Sequence, residues 1–261
     1  MEPPPANFDR LAGLYRLLEF LAFGRDLERA RFCLLETLAN CRSILILGEG
    51  DGRGLARLVR ISPQARIDCV DASSAMILLA SRRLARTGAG GRVNFVRADV
   101  FSLEFPPARY DAVVTFFFLD CFSSEQVARL IRRLQPSLLP GSRWLYADFA
   151  VPGRGWARLR ARAWLSLLYA FFRWQTGLSA RALPNSERLL LDQGWRPEKV
   201  VAWQGGMIRS SVYRRADNEG ALAEAIANPA ADFGCEAPDR PGDGQALPRP
   251  GHRRCEFPMP E

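Results

Sequence analysis

Three glycines and a set of carboxylates carry the spacing in this 261-residue chain that could do chemistry. Gly48, Gly50 and Gly52 alternate within residues 43–54. They follow the apolar run 44–47 and precede Leu55, Leu58 and Val59 at helical spacing. A buried strand, a glycine turn and a helix start let backbone approach a ligand closely, with helix N–H groups aimed at it. Asp71 ends a second apolar run, 67–70, and Asp99 follows a third, 93–96. Asp120 follows a fourth, 111–115. A carboxylate accepts hydroxyl donors, and one at the tip of the second strand suits the two hydroxyls of a ribose. Taken singly, each acid also fits a helix cap or a loop tip. Several at successive strand ends fit the carboxyl edge of an open α/β sheet, where such folds bind ligands.

The glycine register excludes one nucleotide site and resembles another. A dinucleotide fingerprint needs Gly-x-Gly-x-x-Gly, but Arg53 and Leu55 stand where a third glycine would be. The register present, Gly-x-Gly-x-Gly, is that of S-adenosylmethionine (SAM) sites. Leu-Gly-Glu-Gly-Asp-Gly (47–52), Val-Asp-Ala-Ser (70–73), Arg-Ala-Asp-Val (97–100), Tyr-Asp-Ala-Val-Val (110–114) and Leu-Leu-Pro-Gly-Ser (138–142) together resemble the class I SAM-dependent methyltransferases. The resemblance covers about residues 43–148. It implies an α/β fold: a Rossmann-like, seven-stranded, mostly parallel sheet with a C-terminal antiparallel hairpin and helices on both faces. It also implies SAM as cofactor. Gly48, Glu49, Gly50 and Gly52 would touch its methionine part, Asp71 its ribose, and Asp99 with Val100 would border the adenine. Ala72 and Phe116 complete the implied cofactor set. Glu49 stands where the family usually has Cys or Ser. Asn-Phe-Asp-Arg-Leu-Ala-Gly-Leu-Tyr (7–15) and Phe-Gly-Arg (23–25) look like the entry of the ubiquinone/menaquinone biosynthesis C-methyltransferases, with Arg16 and Glu19 where Asp and Asn are usual there.

Composition narrows the remaining classes. The apolar fraction of 48% and charged fraction of 25% fit a globular domain with a sizeable core. The formal charge of +8 is carried almost wholly by arginine, since Lys199 is the single lysine. An arginine excess favours anionic membranes or acidic ligands. The arginines are scattered, without a basic run interleaved with aromatics, which argues against nucleic acid. Cysteines at 33, 41, 69, 121, 235 and 255 form no Cys-x-x-Cys pair. With Cys33 in a helix and Cys69 in a strand as small hydrophobes, they predict a reducing compartment, no metal site and no disulfide framework. The one histidine, His252, sits in the tail, so no core mechanism can use His. Met-Glu-Pro-Pro-Pro lacks a signal peptide's charged start and apolar core, which predicts a cytoplasmic protein.

The elements that must position these residues follow from periodicity. Residues 1–7 form a Pro-rich, disordered lead-in to a domain over 8–215. Cap helices over 8–24 and 27–40 precede the first strand. Ser74 caps a helix to about Thr87, with Met76, Leu79 and Leu84 inward. Ser123 and Gln126 have capping-box spacing, and Val127, Leu130, Ile131 and Leu134 make one stripe of a helix stopped by Pro136. A fifth strand, 144–148, emerges from the Pro140-Gly141 turn. The segment 155–177 mixes aromatics with Arg158, Arg160, Arg162 and Arg173, and its uncharged core is far too short to span a bilayer, which takes about 20 residues. It suits a packed helix, a lid over an apolar substrate, or a helix at a membrane surface. A helix over 186–193 closes at Gly194. Strands 200–203 and 208–213 flank Gly205-Gly206, a two-residue hairpin signal. Residues 216–261 are too rich in Pro, Gly, Asp and Arg to bury an apolar face, and read as a mostly disordered tail.

The leading function is SAM-dependent methyl transfer to a small apolar or aromatic acceptor, of quinol, phenol or lipid type. In-line displacement from a sulfonium needs alignment and exclusion of water more than a catalytic triad. If the acceptor must lose a proton, Asp120 is placed to take it. The same residue also fits a loop or cap acid beside Ser123. A SAM-fold module that binds without turnover is the alternative.

Overall fold

The computed structural model describes residues 25–151 and 183–215. The expected helix over 8–24, the aromatic segment 155–177 and the tail 216–261 lie outside the described residues. Seven strands form one sheet: β1 (Ser43–Leu47), β2 (Arg66–Asp71), β3 (Val93–Arg97), β4 (Tyr110–Phe116), β5 (Leu138–Phe149), β6 (Trp195–Trp203) and β7 (Ile208–Arg215). Their order is β3-β2-β1-β4-β5-β7-β6. β1 to β5 run parallel, and β7 runs antiparallel to both β5 and β6. The predicted fold class is therefore the observed one.

β1 is a continuous apolar run because both its faces are covered. Ile44 and Ile46 face one core, Leu45 and Leu47 the other, all within 1% exposure. The first core takes Leu27 and Ala30 of α1 (Asp26–Phe32), Leu55, Leu58 and Val59 of α2 (Arg53–Ile61), and Leu84 of α3 (Ser74–Ala85). The second takes Val127, Leu130, Ile131 and Leu134 of α4 (Ser124–Leu134) and Leu190 of α5 (Ser186–Asp192). Burying each such side chain contributes about 1.5–3 kcal/mol. The capping box of α4 is present in both directions between Ser123 and Gln126. Asp111 ties the starts of β4 and β1 by accepting from the backbone N–H of Arg42 at 2.6 Å and Ser43 at 3.1 Å.

Several expected details differ. The helix expected over 27–40 breaks after Phe32 and continues as a short 3-10 turn, Leu35–Leu38. Thr37 Oγ1 donates to the Leu34 carbonyl at 2.6 Å and Ser62 Oγ to the Leu38 carbonyl at 2.8 Å, so side chains take acceptors that a longer helix would use. Cys33 ends α1 and is exposed, while Cys41 and Cys69 are buried. Ser73, not Ser74, caps α3, its hydroxyl accepting from the Met76 N–H. The inward positions of α3 are Ala80 and Leu84, with Leu79 exposed, because Ala80 packs against Gly52. β5 starts six residues earlier than expected, and the Pro140-Gly141 region is a bulge within it, where pairing with β4 shifts register. β6 likewise begins at Trp195 and passes Pro197 through a register shift; as an edge strand it tolerates the missing donor. The β6–β7 connection spans 204–207, not two residues, and its Gln204, Gly205 and Gly206 all have positive φ. No helix among the described residues is long and apolar enough to cross a membrane.

Candidate cofactor and acceptor site

The glycine loop joins β1 to α2, and each of its glycines answers a different demand. Gly48, Gly50 and Gly52 all have φ between +65° and +82°, which L side chains adopt only with strain. A Cβ on Gly48 would stand 2.1 Å from the Phe118 ring, and one on Gly52 2.6 Å from the Ala80 Cα. A Cβ on Gly50 would meet nothing within 4 Å. Gly48 and Gly52 are thus needed for packing, whereas Gly50 presents bare backbone to open space. Asp51, between them, pairs with Arg53 at 3.1 Å and Arg83 at 3.0 Å, so α3 pins the loop.

Asp71 ends β2 beside this opening. Its Oδ2 accepts from the Gly50 N–H at 3.2 Å and its Oδ1 from the Ser73 N–H at 2.9 Å. Burial raises its pKa above the ordinary carboxylate value, and the two backbone donors work against that rise. Each oxygen keeps a second lone pair for a hydroxyl donor. Ala72 beside it is exposed. Asp99 is exposed too, one oxygen accepting from the Phe101 N–H at 3.0 Å, while Val100 is buried in the core below. Arg133 of α4 holds this loop through the Phe101 and Leu103 carbonyls.

Glu49 carries the largest departure from the expected loop chemistry. The residue as a whole is partly exposed, but its carboxyl is buried, and the carboxyl sets its ionisation. Oε1 accepts from the Leu55 N–H in the first turn of α2 at 2.8 Å. Oε2 is buried without a hydrogen-bond partner among the described residues. Desolvation pushes the pKa up to about 7, opposed by the Leu55 N–H and by Arg31. Gly52, the N-cap of α2, has no side chain to cap it, and Glu49 does so from three residues earlier. Phe116 packs on the same spot, 3.0 Å from where a Gly54 Cβ would be. It is 5% exposed, a wall of the loop more than a surface.

Asp120 sits in a one-turn 3-10 segment, Leu119–Cys121, directly past β4. It does not cap α4, since Ser123 and Gln126 do that between themselves. Its backbone N–H donates to Oδ2 of Asp148 at 3.1 Å. Asp148, last but one in β5, is a residue that sequence reasoning missed as part of the site. The signal was available: an acid at the end of an apolar strand, the same pattern that marked Asp71. Phenylalanines flank Asp120 in the chain and pack on one another, Phe118 against Phe122 at 5.0 Å and Phe122 against Phe101 at 5.3 Å. Phe117 holds φ +52° at the tip of β4, under the Arg31 guanidinium 5.0 Å away. A surface hollow of about 680 Å³ lies elsewhere, lined by α1, the residues flanking it, Glu36 of the following 3-10 turn, Arg57 and Trp203, and none of the predicted cofactor residues borders it.

Six strands in one direction with β7 running back between β5 and β6, and a glycine turn after β1 facing an acid at the tip of β2, form the plan of the class I SAM-dependent methyltransferases. The chain carries a domain of that class. Residues 44–141 match the methyltransferase-domain family model. The chain is 28% identical over 148 residues to the ubiquinone/menaquinone biosynthesis C-methyltransferase UbiE of Pasteurella multocida, covering 56% of this chain and 54% of that one. It is 31% identical over 150 residues to the demethylmenaquinone methyltransferase of Thermus thermophilus, covering 57% and 66%. The chain thus spans between about half and two thirds of the length of these relatives. Among solved structures, the mitomycin 7-O-methyltransferase MmcR superposes with a TM-score of 0.58 at 20% identity, over 78% of this chain and 58% of that one, which speaks for the fold.

Proposed function

We propose that this protein is a SAM-dependent methyltransferase acting on a small apolar or aromatic acceptor of quinol or phenol type. The observation that carries the cofactor is the open face of Gly50 beside the carboxylate of Asp71. Side-chain-free backbone that a ligand can approach closely and a carboxylate suit the methionine and ribose ends of one ligand. In this reading Gly48, Glu49, Gly50 and Gly52 form the methionine cradle, with Phe116 walling it. Asp71 and Ala72 flank the ribose, and Asp99 and Val100 border the adenine. Bound SAM supplies the methyl group.

The acceptor class is supported by the phenylalanines that flank Asp120, Phe118 and Phe122, and by the quinone-type relatives. Asp120 takes the proton that the acceptor loses, where it loses one. Calorimetric titration with SAM and with NAD tests the cofactor: micromolar SAM binding and no NAD binding is expected, and the reverse would refute the assignment. Transfer of labelled methyl from SAM to a panel of quinols, phenols and lipids tests the activity. SAM binding with no transfer to any member would favour the non-catalytic module.

A further inference from the structure

Two carboxyl groups meet at the tips of β4 and β5, and the proposed chemistry uses only Asp120. Asp148 is 1% exposed, whereas Asp120 is partly open to solvent. Asp148 is built into the strand end: Oδ1 accepts from the Phe149 N–H at 2.9 Å and Oδ2 from the Asp120 N–H at 3.1 Å. The two side chains act on each other directly, and Cys121 Sγ lies 3.6 Å from Oδ1 of Asp120. Among the described residues, the charged and titratable groups around them include Tyr146 on β5, Tyr213 and Arg209 on β7, Glu187 on α5, Cys121, and Asp71 acting from the tip of β2. Arg209 stands opposite Asp148 in the β5–β7 register but is engaged by Glu187. Among the described residues no cation offsets the desolvation of Asp148, and a buried carboxyl so placed keeps its proton, the more so beside a second carboxyl. Burial first and Asp120 second push Asp148 in that direction, against the two backbone donors.

Resting on the methyl-transfer reading above, we propose that Asp148 is a positioning residue for proton transfer: it stays protonated, donates a hydrogen bond to Asp120, and so holds Asp120 as the ionised carboxylate facing the acceptor. The acceptor's bond to hydrogen, on oxygen, nitrogen or carbon, breaks with the proton going to Asp120. The electron pair left behind forms the bond to the methyl carbon, and sulfur keeps the pair of the bond that breaks. Asp120 then returns the proton to solvent.

An infrared measurement tests the protonation state without any acceptor. At pH 8, where Glu49 with a pKa of about 7 is largely ionised, the full chain should show a protonated-carboxyl stretch that is kept in Asp120→Asn and lost in Asp148→Asn. No difference between wild type and Asp148→Asn would overturn the proposal. Turnover supplies the second arm, with reduced 1,4-naphthoquinone as acceptor. Asp148→Ala should lower methyl transfer by at least about tenfold, against the roughly 100- to 10,000-fold that a general base itself contributes. Asp148→Asn, whose amide keeps an N–H donor toward Asp120, should restore most of that loss and abolish the alkaline limb of the pH–rate profile. Melting temperature and SAM affinity are read for each variant. Should Asp148→Ala not fold, the comparison of Asp148→Asn with wild type still decides. Asp148→Asn with wild-type SAM affinity but no turnover, or with the alkaline limb unchanged, overturns the proposal. A wild type that neither binds SAM nor transfers methyl refutes the methyltransferase reading instead, and leaves the infrared result standing.

Discussion

Replacing Glu49 by Gln should stabilise the protein at alkaline pH and do much less at acid pH. Folding raises the Glu49 pKa from 4.5 to about 7, so the folded state prefers the protonated acid. The stability that this group contributes is fully present below about pH 4.5 and is lost as pH climbs toward 7, after which the full cost stands. A shift of about 2.5 units, at 1.36 kcal/mol each, makes that cost about 3 kcal/mol. Gln is neutral throughout and its Oε1 can still accept from the Leu55 N–H that Glu49 holds at 2.8 Å. Its amide N–H₂ would fill the buried place of Oε2, whose burial penalty is constant with pH. The decisive quantity is therefore the change in the stability difference between the two proteins, about 2.5 kcal/mol from pH 5 to pH 8 in favour of Gln. Urea unfolding of both proteins at the two pH values measures it. A stability difference that is the same at both, or that moves toward wild type at pH 8, would show that the Glu49 carboxyl is solvated and the reasoning wrong.

The glycine loop gives a paired test. Gly52→Ala places a methyl 2.6 Å from the Ala80 Cα at φ +82°, and should cost about 2–5 kcal/mol of stability in a thermal melt. Gly50→Ala meets no atom, so it should cost only the about 1–2 kcal/mol of a left-handed residue while SAM affinity falls more than about tenfold by calorimetry. Equal effects of the two on binding would put the ligand elsewhere. Asp71→Ala removes a charge-assisted acceptor worth about 1.5–3 kcal/mol and should weaken SAM binding about 10- to 150-fold in a folded protein. Unchanged affinity would remove Asp71 from the site.

What was legible in the sequence was whatever a single segment decides by itself. β1 announced itself because Ile44, Leu45, Ile46 and Leu47 are all apolar, which only a strand covered on both faces tolerates. The α4 capping box needs only Ser123 and Gln126, three residues apart. Asp71 at the tip of β2 was placed correctly because a strand end and an acid suffice to predict it. Properties made by neighbours were not legible. Glu49 is a buried cap only because α2 turns back over it, and Asp148 is part of a pair only because β4 and β5 are adjacent. The inward face of α3 was misjudged at Leu79 for the same reason: the seat next to Gly52 admits only Ala80, and that fixes the helix's rotation. β6 showed little pattern, since most of its residues are exposed and Pro197 interrupts it.

The sheet order has a consequence for how the chain comes off the ribosome. β7, the last described strand, lies between β5 and β6, and pairs with β5 from Arg143↔Arg214 to Phe149↔Ile208. Until residues 208–215 emerge, β5 holds an unpaired edge whose last residues include Trp144, Leu145, Tyr146 and Ala147, all within 2% exposure once folded. Such an edge is a template for pairing with another copy. A nick in the 204–207 turn would act likewise in the finished protein: it would free an interior strand, not trim a border one.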